Sequence, residues 1–151
     1  MRIFLALLII ALGWITQGCT NEADRNAIRQ MEQAAPLMQS DPEAAHVLLA
    51  DSVAHPELLS PEVNARWCLM LCQLADSIGT PLPYVPQMER AYRYVKRHGT
   101  VDEQLQTTLY LGRTYMDDQD QEAALRTYTE ALQQSILENK PNVLRLIRVQ
   151  L

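Results

Sequence analysis

Glycine, cysteine and histidine are scarce in this chain, at five, three and three among 151 residues, and each scarcity excludes a class of chemistry. No glycine cluster is available to cradle a phosphate. Gly-x-Ser-x-Gly, His-Glu-x-x-His and a paired Cys-x-x-Cys are equally missing, so nucleotide binding, ester hydrolysis, zinc peptidase and dithiol chemistry have no sequence mark. His46, His55 and His98 stand far apart and read as surface or helix-end residues rather than ligands. Cys68 and Cys72 fall one helical turn apart, where a disulfide within a regular helix is strained, and no second Cys or His pair lies nearby to complete a zinc site. They read as small buried hydrophobes. No stretch alternates apolar and polar residues with β-branched enrichment, which leaves strands without support. Cations are also short: 13 Lys and Arg against 18 Asp and Glu give a net charge of -5, a poor match to nucleic acid or an anionic lipid surface. The chain therefore reads as a non-enzyme without cofactor or metal.

The N-terminus carries the one long apolar run. Arg2 precedes an uninterrupted apolar stretch from Ile3 to Leu12, closed by Thr16-Gln17-Gly18-Cys19. Such a run is shorter than the roughly 18 residues a membrane-spanning helix needs, so it reads as an export signal. The Gly18-Cys19 junction resembles a bacterial lipoprotein signal, with Thr16 where that motif usually has leucine. The resemblance implies that residues 1-18 are removed, that Cys19 is lipidated, and that Thr20 after it favours the outer over the inner membrane of a cell envelope. Acyl chains on one residue would hold a soluble domain to a bilayer, since each buried methylene contributes about 0.8 kcal/mol. Loss of Arg2 with the signal leaves twelve cations against 18 acids, a charge of -6 on the mature chain.

Beyond a short tether at residues 19-22, helix follows helix. A first helix is expected from about Ala23 to Gln39, with Ile28, Met31, Ala35 and Met38 on its buried face and Pro36 interrupting it. Asp41-Pro42 and Ser60-Pro61 each write a start signal, a capping side chain followed by proline at the first helical position. Ala45, Leu48, Leu49 and Val53 supply the buried face between them. Residues 61-78 include Trp67-Cys68-Leu69-Met70-Leu71-Cys72, apolar all round and so covered on more than one side. Gly79 ends that helix, residues 80-86 form a proline-rich loop, and a helix from about Pro86 to His98 ends at Gly99. Helices over 102-117 and 121-138 follow. The organisation predicted is three hairpins, 23-60, 61-101 and 102-140, and an apolar segment 141-151 that begins a further one.

The third hairpin carries the most specific pattern. On its first helix Leu111, Gly112 and Tyr115 share a face; on its second Ala124, Tyr128 and Ala131 do. Glycine inside a helix costs roughly 1 kcal/mol against alanine, so Gly112 is expected to admit a close partner helix, with Ala124 facing it. This spacing resembles the tetratricopeptide repeat, a helix-turn-helix unit of about 34 residues. The match covers roughly Leu105 to Glu138, with Thr108 and Ile136 where the family usually has a large apolar residue and a proline. The resemblance implies an all-α, right-handed superhelix of stacked hairpins that binds a protein or peptide in a groove lined by the first helix of each hairpin. On 102-117 that places Gln106, Leu109, Arg113 and Met116 as the stripe facing a ligand. It also fits the N-terminal part of a longer sensor or regulatory lipoprotein. The alternative is an assembly subunit of an envelope complex that docks, or self-associates, through the apolar segment 141-151.

Two charged stretches remain. Arg90, Arg93, Lys96, Arg97 and His98 interleave with Tyr92 and Tyr94 and could grip phosphate or an acidic peptide, yet cations near a helix C-terminus are favoured by the helix dipole alone. Asp117 to Glu122 looks superficially like a calcium loop but lacks its central glycine and distal glutamate, and Asp120 as a helix cap accounts for it. The anchor is directly testable. Replacing Cys19 by serine is expected to move the protein from the membrane to the soluble fraction, and a variant that loses its signal yet still sediments with membranes would exclude an acyl anchor.

Overall fold

Local capping sets where the helices begin. In a computed structural model that describes residues 21-141, Asn21 accepts the Asp24 backbone N-H at 2.7 Å and opens α1 (Glu22–Ala34). Cys19, the export segment and residues 142-151 lie outside the described residues. Pro36 divides the first predicted helix: α1 stops at Ala34 and a single turn, α2 (Leu37–Ser40), follows. Asp41 caps α3 (Pro42–Ser52) and Ser60 caps α4 (Pro61–Ile78), both with proline in the first turn. A 3-10 turn, Pro56–Leu58, joins them. Then come α5 (Val85–His98), α6 (Val101–Asp117), opened by a reciprocal Thr100/Glu103 capping box, and α7 (Gln121–Leu137), capped by Asp120. The described residues are all-α, with no strand among them.

Two glycines end helices for different reasons. Gly79 sits at φ 70°, the left-handed cap that closes α4. Gly99 is extended instead, and what it supplies is room: a β-carbon there would stand 2.6 Å from Val95 Cγ1 and 2.9 Å from the Val95 carbonyl oxygen.

Each helix packs on its sequence neighbours, α1 on α3, α3 on α4, α4 on α5, α5 on α6 and α6 on α7. Contacts that skip a helix join α1 to α4, α4 to α6, and α5 to α7. Alternate helices therefore share a layer, with α1, α4 and α6 on one side and α3, α5 and α7 on the other. The main core threads all but the last helix through Met31, Leu49, Trp67, Leu74, Met88 and Leu111. A second, smaller cluster of Ala124, Tyr128 and Ala131, with Leu109, Tyr115 and Leu132 against it, fastens α7 to α6.

The buried face of α1 is rotated from the expected one. Asp24, Ala27, Met31 and Ala34 are buried, Ile28 and Met38 are half-buried, and Ala35 is exposed beside the break at Pro36. The reason is Asp24, whose carboxylate accepts the Ser60 backbone N-H at 2.8 Å and so can be buried beside the start of α4. Buried threonines follow the same rule. Thr107, Thr108, Thr114 and Thr127 each return the hydroxyl to the carbonyl four residues back, at 2.7 to 2.9 Å, and turn only a methyl to the core.

Gly112 meets Tyr128 rather than Ala124. A β-carbon on residue 112 would lie 2.6, 2.8 and 3.0 Å from Cε1, Cδ1 and Cζ of the Tyr128 ring, which is itself buried to 1 % exposure. Even alanine cannot enter without moving that ring. Gly112→Ala is expected to lower stability by about 1 to 3 kcal/mol, as overpacking a filled core does. A melting temperature equal to that of the parent would mean that the ring and α7 can withdraw freely.

Candidate functional site

The stripe predicted on α6 divides into two kinds of residue. Leu109 packs against the Ala124, Tyr128 and Ala131 cluster and so belongs to the hairpin's own core. Arg113 is engaged as well, with its guanidinium bonded to one oxygen of Asp76 on α4 while the Tyr110 hydroxyl donates to the other at 2.9 Å. The Arg113 guanidinium also lies 5.9 Å from the Tyr110 ring centroid. Burial works against the Arg113 charge, but Asp76 outweighs it and holds the pKa above its ordinary value. Burial and the bond to Asp76 push the Tyr110 pKa up in turn. Asp76 thus staples α4 to α6. Gln106, half-buried, lies within hydrogen-bonding reach of the Tyr110 hydroxyl, and Met116, at 45 % exposure, is the member of the stripe that remains open.

The packing set assembles around the same helix. Leu111, Gly112, Ala124, Tyr128 and Ala131 are buried, and Tyr115 is half-buried with its hydroxyl donating to Glu89 on α5 at 2.7 Å. Burial, with that carboxylate, pushes the Tyr115 pKa up to about 12. The buried Tyr128 hydroxyl has no hydrogen-bond partner among the described residues.

The cations of α5 are divided by what each faces. Arg90 reaches across to the 56-60 loop and donates to the carbonyls of Pro56, at 3.1 Å, and Leu59. Asn21 donates to Leu58 of the same loop at 2.9 Å. Lys96 pairs with Glu130 on α7 at 2.7 Å and Tyr92 donates to the same carboxylate at 2.6 Å. Those three α5 side chains are spent on the fold. Arg93 makes one exposed pair with Glu89 at 3.4 Å, and Arg97 has no charged or hydrogen-bonded partner among the described residues. Tyr94 and His98, one turn apart, stack with ring centroids 4.4 Å apart, and His98 Nδ1 lies 2.9 Å from the Tyr94 carbonyl.

Arg93, Arg97, Tyr94 and His98, with Arg90 behind them, form one wall of a pocket of about 600 Å³. Ser60, Pro61 and Glu62 at the start of α4 form the other. Sequence reasoning found the basic stretch but not the concavity, which exists because α5 finishes where α4 begins. A second pocket, about 400 Å³, opens between α3 and the proline-rich loop and is walled by Trp67, Leu71, Leu82 and Pro83, with His46 at its edge. His55 pairs with exposed Glu57 at 2.9 Å. Asp120 accepts the Ala123 backbone N-H at 3.0 Å in the acidic turn, and the described residues include no group of three or more His, Cys, Asp or Glu placed to hold a metal ion.

Compared with known protein families, curated proteins and solved structures, the chain shows no significant match.

Cys68 and Cys72 are buried on α4, and the Cys72 thiol lies 3.6 Å from the sulfur of Met88. Burial pushes the Cys68 thiol from an ordinary 9.0 up to about 12, and burial, Cys68 and Asp76 push Cys72 up as well. Both therefore stay neutral and unreactive at neutral pH. Iodoacetamide at pH 8 is expected to label neither in the folded protein and both after denaturation. Because these pKa values are raised on folding, the stability linked to the neutral thiols is complete below pH 9 and is lost as the pH climbs toward 12. Rapid native labelling at pH 8 would place the thiols at the surface.

Proposed function

We propose that this chain is a non-enzymatic scaffold of tetratricopeptide type, held to a cell-envelope membrane through lipidated Cys19, that binds a protein or peptide along the layer of α1, α4 and α6. The observation that carries the reading is the α6–α7 hairpin, in which a helix-interior glycine seats a tyrosine from the partner helix while alternate helices share a layer. Stacked hairpins of this kind present one helix of each pair on a continuous face, which suits an extended ligand. Met116 is open on that face and Gln106 is half-buried beside it. No described helix is long and apolar enough to cross a membrane; in this reading the lipid on Cys19 supplies the attachment.

A second reading, an assembly subunit that docks through the end beyond α7, draws on Ile136 and Leu137, exposed at 60 % and 83 %. Apolar side chains that open to solvent at the end of a stack suit a further helix or a partner. One experiment separates the two. A photo-crosslinking residue at position 106 or 116 is expected to give a discrete adduct in the envelope, and one at exposed Thr129 on α7 none. An adduct from position 137 alone favours docking through the α7 end, and equal diffuse labelling at every position overturns both.

A further inference from the structure

We propose that the pocket between the start of α4 and the last turns of α5 binds a carboxylate-rich extended peptide segment, with Arg93 and Arg97 gripping two carboxylates on alternate residues and the stacked Tyr94 and His98 rings lying along its backbone. The proposal rests on the scaffold reading and names a ligand chemistry for a second face.

The ten Lys and Arg of the described residues are spread thinly except on α5, which holds four within eight positions. Two of those four, Arg90 and Lys96, are consumed by the 56-60 loop and by α7. The two left over, Arg93 and Arg97, both face one concavity. Arg93 gives up only a loose exposed pair, and such pairs contribute little. Arg97 gives up nothing. An acidic chain that leaves a pair of guanidinium groups in a pocket of about 600 Å³ presents a local positive potential against a negative background.

Spacing and shape narrow the ligand. Residues four apart on a helix hold their β-carbons about 6 Å apart, and alternate residues of an extended peptide are separated by about 6.6 Å, so an acid-x-acid segment matches the two guanidinium groups in register. The Tyr94–His98 stack lies beside the two guanidinium groups and offers an apolar surface to the peptide backbone, while the side chain between the two acids points away from α5. Glu62 on the opposite wall disfavours a doubly charged phosphate more than a singly charged carboxylate. An anionic lipid surface is disfavoured by the net charge of -5 on the chain as a whole.

Fluorescence anisotropy of a labelled Gly-Glu-Leu-Glu-Leu-Glu-Gly peptide titrated with the full chain tests this. Saturable binding is expected, weakening with added salt, and at least tenfold weaker for the double variant Arg93→Gln, Arg97→Gln and for the peptide with glutamine in place of glutamate. Both side chains are exposed, so the melting curve of the variant is expected to match the parent; if it does not, Arg97→Gln alone, which has no bond to lose, is expected to cost at least threefold. Equal affinity for the variants, equal affinity for the neutral peptide, or no binding at millimolar protein overturns the proposal. Displacement of the peptide by inorganic phosphate at lower concentration than by acetate reassigns the pocket to phosphate groups and also overturns it. Crosslinking at positions 106 and 116 reads the opposite layer, so the scaffold reading survives or fails separately.

Discussion

A tyrosine ring occupies the space where a β-carbon of residue 112 would be, and the spacing of the last two helices follows from that contact. The Tyr128 ring can reach this depth only because residue 112 has no side chain, and once there it is buried with Ala124 and Ala131 beside it. The small residues let α7 approach and the large one fills what remains between the backbones. Alanines alone would leave a void, and a second large residue would hold the helices apart. Polar links add to the fit: Gln134 donates to Gln104 on α6 at 3.0 Å, and Glu130 takes Lys96 and Tyr92 of α5.

Polar contacts between layers do a different job. Tyr92 to Glu130, Tyr110 to Asp76 and Tyr115 to Glu89 each tie a phenol hydroxyl to a carboxylate on another helix, at 2.6 to 2.9 Å. Two of the three skip a helix and so bind members of the same layer. They add little net energy, since each replaces a bond to water, but they are directional and select one rotation of each helix over its neighbours. At the other end of the molecule Asn21, Asp24 and Arg90 converge on residues 56-60, so the loop joining the first hairpin to the second is gripped from α1 and from α5.

What the sequence made legible was local. Asp41-Pro42, Ser60-Pro61 and Gly79 announce helix ends because capping acts within four residues, and Gly112 announces a close approach because glycine is costly inside a helix. What it concealed was distant. Nothing near Arg113 indicates that Asp76, 37 positions earlier, takes its guanidinium, and nothing near Asp24 indicates that Ser60, 36 positions later, lets a carboxylate be buried. The division of α5 into spent and free cations had the same cause, since Glu130 reaches Lys96 only after α7 has folded back. Ala124 was the expected neighbour of Gly112 from helical spacing, but a ring leans along its helix and covers ground that its own Cα does not.

The seat of Tyr128 over Gly112 also acts as a detent. For α7 to slide along α6, a six-membered ring would have to climb out over Leu109 or Tyr115, the side chains one turn away that pack against the same cluster, so the hairpin behaves as one stiff element. The junction between α3 and α4 is built otherwise: the buried Trp67 indole donates to the Leu49 carbonyl at 3.0 Å, and the loop between the two helices is held from outside by Asn21, Asp24 and Arg90. A stack whose last hairpin is locked by the Tyr128 ring can flex between its hairpins but not within that one.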